Sequence, residues 1–270
     1  MTRFDFSKLL VLDQPDVLRS LFHPRAEDDF RLPRENREDL MIPVEENISL
    51  AASCHFAKFA KSAPADAPLI LFFHGNGEIV ADYDDIAHFY NDLGIHFFVV
   101  DYRGYGRSSG MPTVTGMMKD CHIVLDFVLS YKINNRLTGP VCLMGRSLGS
   151  ASVIELAAKR EDDIACLIVE SGFACAGPLL RILGIDPDRI GYREQEGFEN
   201  IDKISLFSKP CLVIHAQYDH IIAFSDGQAL FDAVASKEKF FLEVKGANHN
   251  DIFFRGMTAY LDHIQKICFL

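Results

Sequence analysis

From about residue 68 the chain alternates short, unbroken apolar runs with longer stretches whose apolar positions recur every three or four residues. The runs are Leu69–Phe73 (LILFF), His96–Asp101 (HFFVVD), Val141–Met144 (VCLM), Ile164–Val169 (IACLIV), Cys211–His215 (CLVIH) and Phe240–Val244 (FFLEV). A strand covered by helices on both faces buries every side chain, so it reads as a continuous apolar run and not as an alternation. Between the runs, helical spacing predicts helices over Val80–Leu93, Val114–Tyr131, Leu148–Ala158, Phe224–Val234 and Asp251–Ile267. Strands alternating with helices predict an α/β fold with a mostly parallel sheet. In such a sheet ligands gather at the carboxyl ends of the strands, where the glycine-bearing turns of this chain fall.

Two stretches break the rhythm. Residues 1–40 are mixed in character and end in a charged run, Glu27–Asp39, expected to be an exposed loop; they are read as an N-terminal extension packed on the core. Leu40–Val44 and Ile48–Phe56 then read as an antiparallel hairpin at one sheet edge. Residues 174–208 carry Pro178, Gly184, Pro187, Gly191 and Gly197 without strong periodicity, the pattern of a small cap inserted after a strand. The core is then 41–173 and 209–270.

Composition narrows the function classes. The chain has 270 residues, and its 38 acidic and 27 basic side chains give a formal net charge of -11. So acidic a surface repels polyanions, which argues against a nucleic-acid partner. The cysteines number seven and lack the close spacing of a metal site, so no metal is expected, and a reducing, cytoplasmic setting is. The first residues lack the cationic start and apolar core of a signal peptide. No apolar stretch reaches the roughly 20 residues that span a bilayer.

The chemistry is carried by three separated segments. Gly145-Arg146-Ser147-Leu148-Gly149 follows an apolar run and opens a helical one. A G-x-S-x-G string in that setting puts its serine on a sharp strand-to-helix turn. The plain alternative is a serine that only caps a helix. A serine hydroxyl needs a base beside it. His249, in GANHND just after the last apolar run, is the histidine placed to serve; His23, His55, His88, His96, His122, His215 and His263 fall in presumed helices, strands or the extension. Asp219 follows the Cys211–His215 run and would orient the histidine, with Glu170 as the competing acid. The chain order Ser147, Asp219, His249 is the order of one hydrolase fold and not of the other serine-protease arrangements. His74-Gly75-Asn76-Gly77 ends the first central run, so the oxyanion donors are expected to be the backbone N–H groups of Asn76 and Leu148, with Gly77 as a substitute. His74 and the turn Asp101–Ser108 are expected to be structural.

The strings HGNG, DYRGYGRSSG, GRSLGS, YDHIIAF and GANHND, in this order, resemble those of the α/β-hydrolase superfamily. They are most similar to its small-lid branch of acyl-protein thioesterase-like and serine aminopeptidase- or monoacylglycerol lipase-like enzymes. The resemblance covers about residues 65–265. It implies an eight-stranded sheet and a triad of Ser147, Asp219 and His249. The expected activity is hydrolysis of a small-molecule carboxylic ester or thioester through an acyl-Ser147 intermediate, with no cofactor. One alternative is amide or peptide hydrolysis by the same triad, with cap acids such as Asp186, Asp188, Glu194 and Glu196 receiving an amine. Another is a catalytically silent binding module.

Overall fold

A computed structural model describes residues 6–28, 32, 34–57 and 64–270. Parts of the N-terminal extension (1–5) and of the charged run (29–31 and 33) lie outside the described residues. The strands are β1 Arg37–Glu45, β2 Ile48–His55, β3 Leu69–Phe73, β4 His96–Val100, β5 Val141–Arg146, β6 Cys166–Glu170, β7 Cys211–Ala216 and β8 Lys239–Val244. They form one eight-stranded sheet in the order β1-β2-β4-β3-β5-β6-β7-β8. The β1–β2 and β2–β4 pairs are antiparallel and every other pair is parallel. This is the eight-stranded, mostly parallel sheet that the resemblance implies. The six apolar runs are its six contiguous strands β4, β3, β5, β6, β7 and β8; the first five are buried because helices cover both faces, and β8, at the edge, is half-buried.

The helices are α1 Pro15–Leu21, α2 Ala87–Asp92, α3 Val114–Asn134, α4 Gly149–Lys159, α5 Ala176–Ile182, α6 Pro187–Ile190, α7 Asn200–Ile204, α8 Phe224–Ala233 and α9 Ile252–Cys268. One face of the sheet packs against α1, α3, α4, α8 and the 174–208 segment. The other packs against α2 and α9. Within a strand the side chains alternate between the two layers: Val141 and Leu143 enter the first, Cys142 and Met144 the second.

Two expectations are corrected. The helix expected over Val80–Leu93 is broken into a short 3₁₀ turn, Val80–Tyr83, and α2. The break lies at Asp84–Ile86, where the N–H groups of Asp84 and Ile86 bond three residues back, to Ala81 (3.3 Å) and Tyr83 (3.1 Å), and the Asp84 carbonyl accepts from Arg34 (2.6 Å). The charged run does not remain loop to Asp39, because β1 opens at Arg37. An edge strand tolerates charge; Arg37 pairs with Asp84 (2.8 Å) and Asp39 (3.1 Å).

Residues 7–25 are more than a covering. Leu9, Leu12, Val17, Leu21 and Phe22 are buried in the first apolar layer. The Asp13 carboxylate accepts from the Val114 N–H (2.7 Å), capping α3. In the 174–208 segment Phe173 and Phe198 meet edge to face at 5.2 Å, and α7 is tied to α4 by Lys203–Glu155 (2.7 Å).

Candidate active site

The carboxyl ends of β3, β5, β6 and β7 converge, and there the interior changes from apolar to polar. In-register pairing of Arg146 with Glu170, and of Glu170 with Ile214, sets the ends of β5, β6 and β7 level. Ser147 follows β5 with φ of 51°, a left-handed conformation costly for a residue with a Cβ. Its N–H donates to the Glu170 carbonyl (2.9 Å), which helps hold the turn closed. A Cβ on Gly145 would collide with the Gly149 carbonyl, and one on Gly149 with the Phe73 carbonyl, so both glycines of the motif are required by close backbone approach. Ser147 is 8 % exposed and His249 3 %, so both face a nearly closed site.

His249 and Asp219 are brought together. The His249 Nδ1–H donates to Asp219 Oδ2 at 2.7 Å. The other oxygen, Oδ1, accepts from the N–H groups of Ile221 (3.0 Å) and Ile222 (2.8 Å). Burial opposes ionisation of Asp219, but the histidine and these two backbone donors outweigh it and hold the carboxyl down at about 2. With Nδ1 donating, a neutral imidazole presents its lone pair at Nε2. No hydrogen bond joins Nε2 to the Ser147 hydroxyl, as is common in ligand-free sites whose contacts tighten on binding.

The N–H groups of Asn76 and Leu148 donate to no described residue. The Asn76 side chain is fully engaged: its Oδ1 accepts from the His23 N–H (2.9 Å) and the Tyr105 hydroxyl (2.6 Å), and its Nδ2 pairs with His23 Nδ1 (2.8 Å). Arg25 donates to the Gly77 carbonyl (2.9 Å). The extension therefore braces the HGNG loop, a role that mixed, aperiodic sequence gave no signal for. His74 and the Asp101–Ser108 turn are tied to each other. His74 pairs with Asp101 (3.2 Å), and the Tyr102 hydroxyl donates to the His74 carbonyl (2.7 Å).

Arg146 is the residue that sequence reading passed over. Its guanidinium donates to Glu78, to Glu170 (3.0 Å) and to the His249 carbonyl (2.6 Å). Glu78 in turn accepts from the Gly75 N–H (2.7 Å) and the Tyr83 hydroxyl (2.6 Å), and Glu170 from the Tyr260 hydroxyl. One buried cation thus ties the HGNG loop, the serine turn and the histidine loop to each other. Burial pushes the Glu170 carboxyl up, with Arg146 resisting; at Glu78 burial is overcome by Arg146 and Tyr83 and the carboxyl is lowered. Glu170 is committed to Arg146 and Tyr260, and the acid on His249 is Asp219. A cavity of about 260 Å³ borders this cluster, with Arg146, Asn250, Tyr83, Tyr90 and Phe253 in its wall.

Two of the cap acids are engaged locally. Glu194 accepts from the N–H groups of Ala176 (3.1 Å) and Gly177 (2.6 Å), which caps α5, and Asp186 caps α6 through Asp188 (3.1 Å). Among the described residues no helix is long and apolar enough to cross a membrane.

A family model described as serine aminopeptidase, S33, matches residues 64–183, a span that holds Ser147 and stops short of Asp219 and His249. The chain is 33% identical over 214 residues to alpha/beta hydrolase domain-containing protein 17B of Homo sapiens, covering 77% of this chain and 68% of that protein. It is 26% identical over 246 residues to protein bem46 of Schizosaccharomyces pombe, covering 86% and 80%. Among solved structures, the Pyrococcus furiosus esterase Pf2001 superposes with a TM-score of 0.72 at 14% identity, over 90% of this chain and 97% of that one. A soluble variant of monoglyceride lipase from Saccharomyces cerevisiae does so with a TM-score of 0.67 at 15% identity, over 89% and 96%.

Proposed function

Since this chain belongs to the α/β-hydrolase superfamily, we propose that it is a serine hydrolase that cleaves a carboxylic ester or thioester through an acyl-Ser147 intermediate. The observation that carries the reading is the 2.7 Å pairing of His249 with Asp219, on a loop held through the His249 carbonyl (2.6 Å) by Arg146, the residue before the strained Ser147. Esterase and monoglyceride lipase activities are those named for two proteins of the same fold.

The residues divide the work as follows. His249, neutral and with Nε2 free, takes the proton of the Ser147 hydroxyl as its oxygen attacks the carbonyl carbon. Asp219 holds the imidazole in the tautomer that can accept and offsets the charge it gains. The developing oxyanion is met by the N–H groups of Leu148 and Asn76, each worth about 2.7–4 kcal/mol in comparable sites. The imidazolium then returns its proton to the leaving alcohol or thiol. Water repeats the sequence to release the acid and restore Ser147.

The test is a rapid-mixing assay with a p-nitrophenyl ester and an acyl thioester. A burst of leaving group, with the acyl mass recovered on the peptide containing Ser147, is the expected result. Steady turnover with acylation absent from that peptide, or turnover undiminished in Ser147→Ala, would remove the serine from the reaction.

A further inference from the structure

At the opposite, amino-terminal end of the sheet, on the face covered by α2 and α9, three cysteines from distant parts of the chain meet. Cys142 in β5 and Cys166 in β6 are register partners, so both side chains leave the sheet on the same face. Cys268, the last residue of α9, closes over them. The three sulfurs lie within 4.8 Å of one another, and all three residues are buried. We propose that Cys142, Cys166 and Cys268 form a binding site for a thiophilic d¹⁰ cation, Cu(I) foremost.

Geometry and ligand chemistry support this. Three sulfurs that share an ion at about 2.3 Å stand about 4 Å apart, so the trio needs only small side-chain rotations to close on one. Soft thiolate ligands select Cu(I), whereas structural zinc takes four ligands. Among the described residues this group offers three. Binding exchanges thiol protons for the ion and releases them to solvent. The way in is the C-terminal end of α9, where Cys268 is 4 % exposed and Phe269 55 %. A bound ion would pin the last turn of α9 to β5 and β6. The same helix starts just after His249, so occupancy would stabilise the element that carries the histidine loop. The plain alternative is three small apolar side chains packed together.

The reduced full chain, kept free of oxygen, is titrated with Cu(I) against a colorimetric Cu(I) chelator, and its melting temperature is followed in parallel. The expected result is uptake of one ion per chain with a rise in melting temperature. Cys142→Ser and Cys268→Ser should each weaken the affinity by more than the roughly 10–100-fold typical of losing an outer-shell partner. Cys175→Ser and Cys211→Ser should leave it unchanged. Should Cys142→Ser fail to fold, Cys268→Ser, at the helix end, carries the test, with circular dichroism to verify the fold. No uptake in competition with the chelator would overturn the proposal. So would uptake indifferent to Cys268→Ser, or uptake abolished by Cys175→Ser.

Discussion

Along β5, Val141 to Met144 are buried among apolar neighbours on both faces of the sheet, while Arg146 and Ser147 at its end are held by ion pairs and a left-handed backbone. The same change occurs along β7, where Val213 and Ile214 lie in the two apolar layers and Asp219, just beyond, holds His249. The strand interiors gain from burial alone, at about 25 cal/mol per Å² of apolar surface. The strand ends bury charges and a strained serine, which oppose folding unless every partner is in place. Stability is therefore concentrated in the interiors and chemistry at the ends, and substitutions in the two regions should separate these effects.

The largest effect is expected at the serine. Ser147→Ala should lower kcat by about 10⁶-fold, as loss of a triad nucleophile does elsewhere, while the melting temperature changes little, because alanine keeps the Cβ and the same left-handed strain. A steady-state assay with thermal melting checks both. Next comes Asp219→Asn, which keeps the shape but favours the wrong histidine tautomer; a drop of about 10⁴-fold in kcat is expected, with little change in KM. Arg146→Met joins the two regions. It strands Glu78 and Glu170 as buried carboxylates, so a loss of about 3–5 kcal/mol of stability is expected in denaturant titration. It also frees the His249 carbonyl, so kcat should fall in the protein that remains folded. If kcat is unchanged, Arg146 supports the fold and does not position the histidine. Leu143→Ala, in the interior, should cost about 2–5 kcal/mol with kcat/KM of the folded fraction intact.

The smallest effects are those of pH on stability. Burial lowers the pKa of His215, so the unfolded chain binds that proton more readily than the folded one. Its contribution is complete above the unfolded histidine value and is lost as pH falls from there through the lower folded value; His215→Gln should flatten that part of the profile. Asp219 acts further down. Its contribution is present above the ordinary 3.8 and lost as pH falls through about 2. Chemical denaturation at stepped pH, compared with Asp219→Asn, measures it.

The legible parts of the molecule were those with local signatures. Leu69–Phe73 was readable to the residue because a doubly covered strand admits only apolar side chains, and the turns bearing Ser147 and Asp219 because each follows such a strand; His249 follows the half-buried edge strand β8, whose signal is the short run Phe240–Leu242. What escaped depends on distant partners. Arg146 is an unremarked middle residue until folding brings Glu78, Glu170 and the His249 loop around it. His23 and Arg25 lie in a stretch without period, and their contact with Asn76 and Gly77 is a matter of tertiary packing. The break before α2 was hidden because the Asp84 carbonyl, which a continuous helix would use itself, accepts from the distant Arg34.

The most direct test of the central claim is labelling of the full-length, folded chain with a fluorophosphonate, read by intact mass and peptide mapping. A single adduct on Ser147 is expected, forming more slowly in His249→Ala and absent in Ser147→Ala. A folded protein that takes no adduct, or takes it on another residue, would contradict the assignment of Ser147 as an activated nucleophile.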